Sequence, residues 1–266
     1  MLPDAREIGV FPREFNIADL DAPVAESYGS VGTRVEHARL ENDTEVIVFH
    51  DYRARLEGAA YLVSEDMGFN LIPPTSPAFE ETRQLFIPSR LGENYDYGSP
   101  EMRQQILKVD IFDYITARKD QQGYRRTPLS QNHRVIGGMI VPHDFEMSFT
   151  EPNRRAFHRD FSLGAELPRD VINNLNHFRN SPDLQTQLRN DMLQLQFNDL
   201  EIDQLFERAF AVASIFGNQS IATLTVKDIA RGRLRNKFTL GMMRQLDQLA
   251  IEQDQQRIAY YKNLYG

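Results

Sequence analysis

The stretch DYITARKDQQGYRRTPLSQNHRVIGGMIVPHDFEMSF, Asp113 to Phe149, carries the reading of the whole chain. At its centre, NHRVIGGMIVPHD places two short apolar runs, Arg134 to Ile136 and Met139 to Val141, on either side of Gly137-Gly138. A Gly-Gly pair between such runs signals a tight β-hairpin. A hairpin returns on itself, so the residues at its two ends, Asn132 and Asp144, are expected side by side. An amide oxygen and a carboxylate so placed could share one magnesium ion, which takes oxygen ligands and leaves several positions to water and phosphates. Asp120 stands upstream, just past a helical pattern over Met102 to Ala117. An aspartate, an asparagine and a second aspartate in this order suit a site that handles phosphate through a metal.

Upstream of this stretch the pattern is that of a small sheet with one helix. Val35 to Leu40 and Glu45 to Phe49 read as strands around the turn ENDT, the second one, EVIVF, dense in β-branched residues. From Arg53 the period becomes helical, with Leu56, Ala59, Ala60, Val63 and Met67 on one side and Gly68 as the stop. The prolines of NLIPPT, Asn70 to Thr75, deny a helix, and Thr82 to Ile87 gives a further strand before a loop from Pro88 to Pro100. The first thirty residues, rich in proline and acidic residues, show no sustained period and read as an extended arm or cover. Downstream the chain reads as helices over 170–180, 182–194, 199–216, 225–231 and 239–261, with Asn198 or Asp199 capping the third and Thr225 with Asp228 resembling a capping box. The expected fold is therefore α+β and bilobal: an arm over 1–34, a small β-rich N-lobe with one helix over 35–90, and a larger, mainly helical C-lobe over 91–266.

Composition narrows the function classes. A formal charge of -8 and a pI near 5.3 argue against a broad nucleic-acid or anionic-membrane surface. The absence of cysteine excludes disulfides, thiol catalysis and cysteine-ligated zinc. His50, His133 and His143 lack the spacing of a histidine-ligated metal motif. No apolar run approaches the roughly 20 residues that a membrane span needs, and MLPDAREIGVFPREF lacks the apolar core of a leader, so a cytoplasmic location is expected. Of 30 basic residues only five are lysine, the first being Lys108.

Three blocks, RLEGAAYLVSEDMGFNLIPPT (Arg55 to Thr75), FDYITARKDQQ (Phe112 to Gln122) and HDFEMSF (His143 to Phe149), follow an order that resembles the protein-kinase-like superfamily. Within it the likeness is to the atypical branch of bacterial phosphatidylinositol 3-/4-kinase-like proteins related to the HipA and Fam20 kinases. The resemblance spans roughly residues 35 to 150. It implies a kinase-like fold and a transfer of the ATP γ-phosphate to a hydroxyl, with a protein favoured over a lipid as acceptor. It further implies that Asp120 orients or deprotonates that hydroxyl, and that Asn132 and Asp144 hold Mg2+ against the ATP phosphates. Glu57 would be the helix glutamate, and the segment of Phe86 and Ile87 up to Pro88 the hinge beside the adenine.

Two positions depart from the family pattern. Its phosphate-binding strand lysine should fall near the end of EVIVFH, where this chain has His50, and no lysine lies nearby. Arg34, Arg39, Arg53 or Arg55 could take that role, since arginine also forks onto phosphate. The interval from Asp120 to Asn132 is longer than the family's loop and brings in Arg125 and Arg126, which could bind the phosphates or an acidic substrate. The alternative reading is a pseudokinase, a nucleotide-binding or partner-binding module that keeps the fold without the chemistry.

Overall fold

The computed structural model describes residues 11, 15–32, 34–88, 96–118, 132–149, 157, 162–217 and 237–265. The fold is α+β, with an antiparallel sheet in the N-terminal region and a mostly helical C-terminal part.

Five strands build the sheet: β1 (Val24–Gly32), β2 (Val35–Leu40), β3 (Glu45–His50), β4 (Thr75–Ser76) and β5 (Glu81–Leu85), in the spatial order β1-β2-β3-β5-β4. Alternation along β2 and β3 divides the side chains between the two faces. Ala38, Leu40, Val46 and Val48 meet Leu20 of a short 3-10 helix (Ile17–Asp21) on one face. Val35, Ile47 and Phe49 point the other way, beside Ala54. Residues 24–32, expected as part of an arm, form the edge strand. Register shifts at Val24/Glu26, Ser27/Gly29 and Ser30/Gly32 break its alternation, which is why no period of two is visible in VAESYGSVG.

Helix α1 (Tyr52–Asp66) crosses from β3 to β4 and is buried on most of its circumference, Glu57 included. Gly58 permits its contact with the sheet: a Cβ there would lie 3.1 Å from Pro77 Cβ and 3.2 Å from Thr82 Oγ1. The helix ends at Gly68, as its sequence suggests. Gly68 has φ +70°, its N–H donates to Glu65 O, and Phe69 N–H reaches back to Ser64 O at 2.7 Å. The Ser64 hydroxyl accepts from Leu71 N–H at 2.8 Å, so the turn and the following extended segment are tied together.

Helix α2 (Pro100–Ile115) starts two residues earlier than the periodicity indicates, because Ser99 caps it by accepting from Met102 N–H and Pro100 occupies its first turn. Buried on nearly every side from Gln105 to Ile115, it is the central rod of the core. The hairpin β6 (His133–Ile136) and β7 (Met139–Pro142) packs against it, with Gly137 and Gly138 both at positive φ in the turn. Among the described residues four further helices follow: α3 (Arg169–Arg179), α4 (Pro182–Gln194), α5 (Asp199–Gly217) and α6 (Leu240–Tyr265). Asn198, not Asp199, caps α5 in a reciprocal capping box with Glu201, at 3.0 and 2.9 Å. The helix expected over 225–231 lies outside the described residues. Among the described residues no helix is long and apolar enough to cross a membrane.

Two stability outcomes follow from α1. Gly68→Ala forces an L-residue into the left-handed region and drives its Cβ to 2.4 Å from the Asn174 side chain; a loss of about 1–2 kcal/mol is expected in urea unfolding. Asp66, at the end of α1, is pushed up to about 6 by burial, then by Asp191 of α4 and by Glu65. A raised folded-state value means that ionising Asp66 favours unfolding, so stability falls as pH rises from about 4 to about 6 and stays lower above that. Asp66→Asn should stabilise the protein by about 1 kcal/mol at pH 7.5, after allowing for solvent screening, and lose that advantage at pH 4.

Candidate functional site

A cleft of about 500 Å3 lies between the sheet and the hairpin, lined by Val31, Val35, Ile47, Phe49, Leu85, Phe86, Ile87, Ile136 and Val141 on its apolar sides. Arg53, Arg134, His143 and Asp144 supply its charged and polar groups, and Pro73 and Gln84 complete the lining. The lining follows from strand alternation: Ile47 and Phe49 are the cleft-facing residues of β3, while Arg134 and its cross-strand partner Val141 share one face of the hairpin. Phe11, a residue of the N-terminal stretch, is buried against Met139 and Val141, beside Ile87 and Ile136, and so backs the apolar end of the cleft.

The polar end is organised by Arg118, which is fully buried where the chain leaves α2. Its Nη1 donates to Asp113 Oδ1 at 3.2 Å, and Nη2 donates to Asn132 O at 3.2 Å and to His143 O. The guanidinium lies 4.4 Å from the centre of the Phe145 ring. That ring meets Phe112 of α2 edge-on at 5.8 Å. One side chain thus ties the end of α2 to both ends of the hairpin. His143 N–H donates to Asn132 O at 3.0 Å, which brings the stretches carrying Asn132 and Asp144 together.

Asp144 holds φ 65°, a region that a non-glycine residue occupies only when its surroundings dictate it. Phe145 N–H donates to Glu57 Oε1 at 2.6 Å, and Arg118 holds the carbonyl of His143, so the turn is fixed on both sides of Asp144. Burial raises the Glu57 carboxyl to about 7; the Phe145 amide opposes the shift, Asp144 adds to it, and Arg118 and Arg53 oppose it. Arg53, in the first turn of α1, has Nη1 3.9 Å from Asp144 Oδ1 and donates through Nη2 to Glu146 Oε2.

The residues singled out from sequence are distributed unevenly. Phe86, Ile87 and Asp144 line the cleft, and Glu57 lies beneath it against the backbone of Phe145. Asn132 is bonded through its backbone to His143, the neighbour of Asp144, but its side chain is buried and is not part of the cleft lining. His50 sits on the face of β3 opposite the cleft, 3.8 Å from both Glu36 and Glu81, because it is one residue out of register with Phe49. Asp120, Arg125 and Arg126 lie outside the described residues. Of the four arginines considered for the missing cation, Arg34 pairs with Asp51, Arg39 with Glu26 and Arg55 with Glu201, while Arg53 lines the cleft. Arg118, Glu146 and Phe11 were not anticipated. Arg118 looks in sequence like half of a basic pair with Lys119 after a helix end, and nothing in that pattern marks it as buried.

Arg118→Met would leave the Asp113 carboxylate buried without its cation, so a loss of about 3–5 kcal/mol is expected in urea unfolding. Adding Asp113→Asn should recover part of it. A double-mutant cycle with coupling above about 1 kcal/mol supports the hub, and additive effects contradict it.

No protein-family model matches the sequence, and no curated protein sequence does. Among solved structures, the Golgi casein kinase is similar over 79% of this chain and 77% of that chain, at 12% identity and a TM-score of 0.48. The same kinase with Mn/ADP bound gives 80% and 76% coverage, 11% identity and a TM-score of 0.49. An aminoglycoside phosphotransferase from Alicyclobacillus acidocaldarius aligns over 92% of this chain and 95% of that chain, at 8% identity and a TM-score of 0.32. What the cleft can do is read from its own residues.

Proposed function

We propose that the chain is a kinase-like phosphotransferase that moves the γ-phosphate of ATP to a hydroxyl, with a protein as the favoured acceptor. The observation that carries this reading is the polarity of the cleft: apolar walls at one end, and Arg53 with Asp144 at the other. A flat apolar base and a polyanionic tail need such a division, and a volume near 500 Å3 suits a nucleotide-sized ligand. Phe86 N–H is engaged with Glu45 O and Pro88 has no N–H, so of the three hinge residues Ile87 would be the one to offer the base an amide.

Magnesium fits the donors present. Asp144 lines the cleft, and magnesium takes one or two protein oxygens and fills its other positions with water and substrate phosphates. Asp144 would hold it, with Asn132 as the second donor once its side chain turns outward. When bound, such an ion neutralises the charge of the phosphates. Glu57 and Arg118 support the reading indirectly, since they hold the backbone on either side of Asp144. Asp120 would orient the acceptor hydroxyl or take its proton, on the strength of its place in the chain between α2 and the hairpin. Arg125 and Arg126 follow it in the same segment and would face the phosphates or an acidic substrate.

One observation favours the pseudokinase reading: β3 presents Ile47 and Phe49, and no cation, to the cleft. Thermal shift with ATP and Mg2+, paired with transfer assays on wild type, Asp120→Ala and Asp144→Ala, separates the two. Transfer that falls at least about a hundredfold in both variants is the expected result. A metal-dependent shift without transfer in wild type means a pseudokinase, and no shift at all removes both nucleotide readings.

A further inference from the structure

We propose that Arg53 is the phosphate-binding cation of this cleft, and that Asp144 and Glu146 hold it in reserve until a metal nucleotide enters. The inference rests on the nucleotide reading above and assigns a residue where the kinase-like pattern lacks one.

Two guanidinium groups line the cleft among the described residues, those of Arg53 and Arg134. Arg134 lies on the hairpin beside Val141 and Ile136, and its Nη1 turns back to the carbonyl of His133 at 3.5 Å. Arg53 stands instead at the carboxylate end. It is anchored on Glu146 through Nη2, whereas Nη1 is 3.9 Å from Asp144 Oδ1, an ion-pair distance that is too long for a hydrogen bond. Asp144 thus faces Arg53 without taking a hydrogen bond from it; the other side-chain partner of Arg53 besides Glu146 is Tyr52.

The same geometry carries a switch. Side-chain exposures of 17% for Arg53, 33% for Asp144 and 29% for Glu146 place the triad between buried and open. Such a pairing is strong enough to position the arginine, and water still reaches it well enough for partners to exchange. A cation held by Asp144 would take up the carboxylate that Nη1 faces and leave that side of the guanidinium available to the phosphates, while Nη2 stays on Glu146. Metal and nucleotide should then bind with positive coupling, because each removes an unfavourable arrangement left by the other. Glu146 competes with phosphate for Nη2 and weakens nucleotide binding, most visibly when no metal is there to help hold the phosphates.

The test measures dissociation constants for ADP with Mg2+, ADP with EDTA, and adenosine, by calorimetry on the full chain. In Arg53→Met, ADP with Mg2+ should bind about tenfold or more weakly while adenosine binds as in wild type. Arg53→Lys, which keeps the charge and serves if the methionine variant does not fold, should show a smaller loss in the same direction. Glu146→Gln should bind metal-free ADP about three- to tenfold more tightly than wild type. Unchanged ADP affinity in both Arg53 variants overturns the assignment, as does an equal loss for adenosine, or a phosphate-specific loss that appears in Arg134→Met instead. If wild type binds no nucleotide at all, the functional reading fails and the role of Arg53 fails with it; if wild type binds and Arg53 variants match it, only this inference fails.

Discussion

A guanidinium with no access to water must find acceptors inside the protein, and the arrangement of this molecule around its cleft depends on how Arg118 does so. Its donors reach a carboxylate on α2 and carbonyls at both ends of the β6-β7 hairpin, and its flat face covers Phe145. A lysine would not reproduce this, since its donors all radiate from one nitrogen and lack the planar fork that spans these acceptors. The residues on either side of Asp144, His143 and Phe145, both contact this group. The desolvation cost of a buried ion pair is large, so such a contact is better understood as fixing one geometry than as adding stability.

From that anchor the rest of the site follows in order. Phe145, held by Arg118 and by Phe112, places its amide under Glu57, which couples the helix of the sheet half to the turn of the helical half. The positive φ of Asp144 is the conformational cost of turning its carboxylate toward the cleft, and the two flanking backbone contacts sustain it. Arg55, paired with Glu201 and lying over Phe197, joins the same two halves on the other side of α1. Glu201 also closes the capping box of α5, so one carboxylate serves both helix start and inter-half contact.

Much of this was legible in the sequence wherever a local rule governs the outcome. The hairpin at Gly137-Gly138, the stop of α1 at Gly68 and the strands β2 and β3 each follow from a few adjacent residues. The close approach of the hairpin's two ends was legible too, because a two-residue turn fixes which residues meet, but the register sets Asn132 opposite His143, one residue short of Asp144. Burial of a charge was not, because it depends on acceptors far apart in the chain: Arg118 takes its partners from 113, 132 and 143. His50 shows a different limit. In a strand a single residue decides the face, and a family pattern that places a cation near the strand end does not resolve which of two neighbours looks into the cleft. Residues 24–32 escaped notice because bulges erase the alternation by which a strand is recognised.

In the proposed function, metal and nucleotide meet at the open end of the hairpin. Paramagnetic broadening of backbone amide signals by Mn2+, recorded with and without ADP, tests it directly. Broadening that appears only with ADP and centres on residues 132–134 and 143–146, leaving α3 to α6 sharp, is the expected result. Broadening that ignores ADP, or that centres on another part of the molecule, would contradict the account.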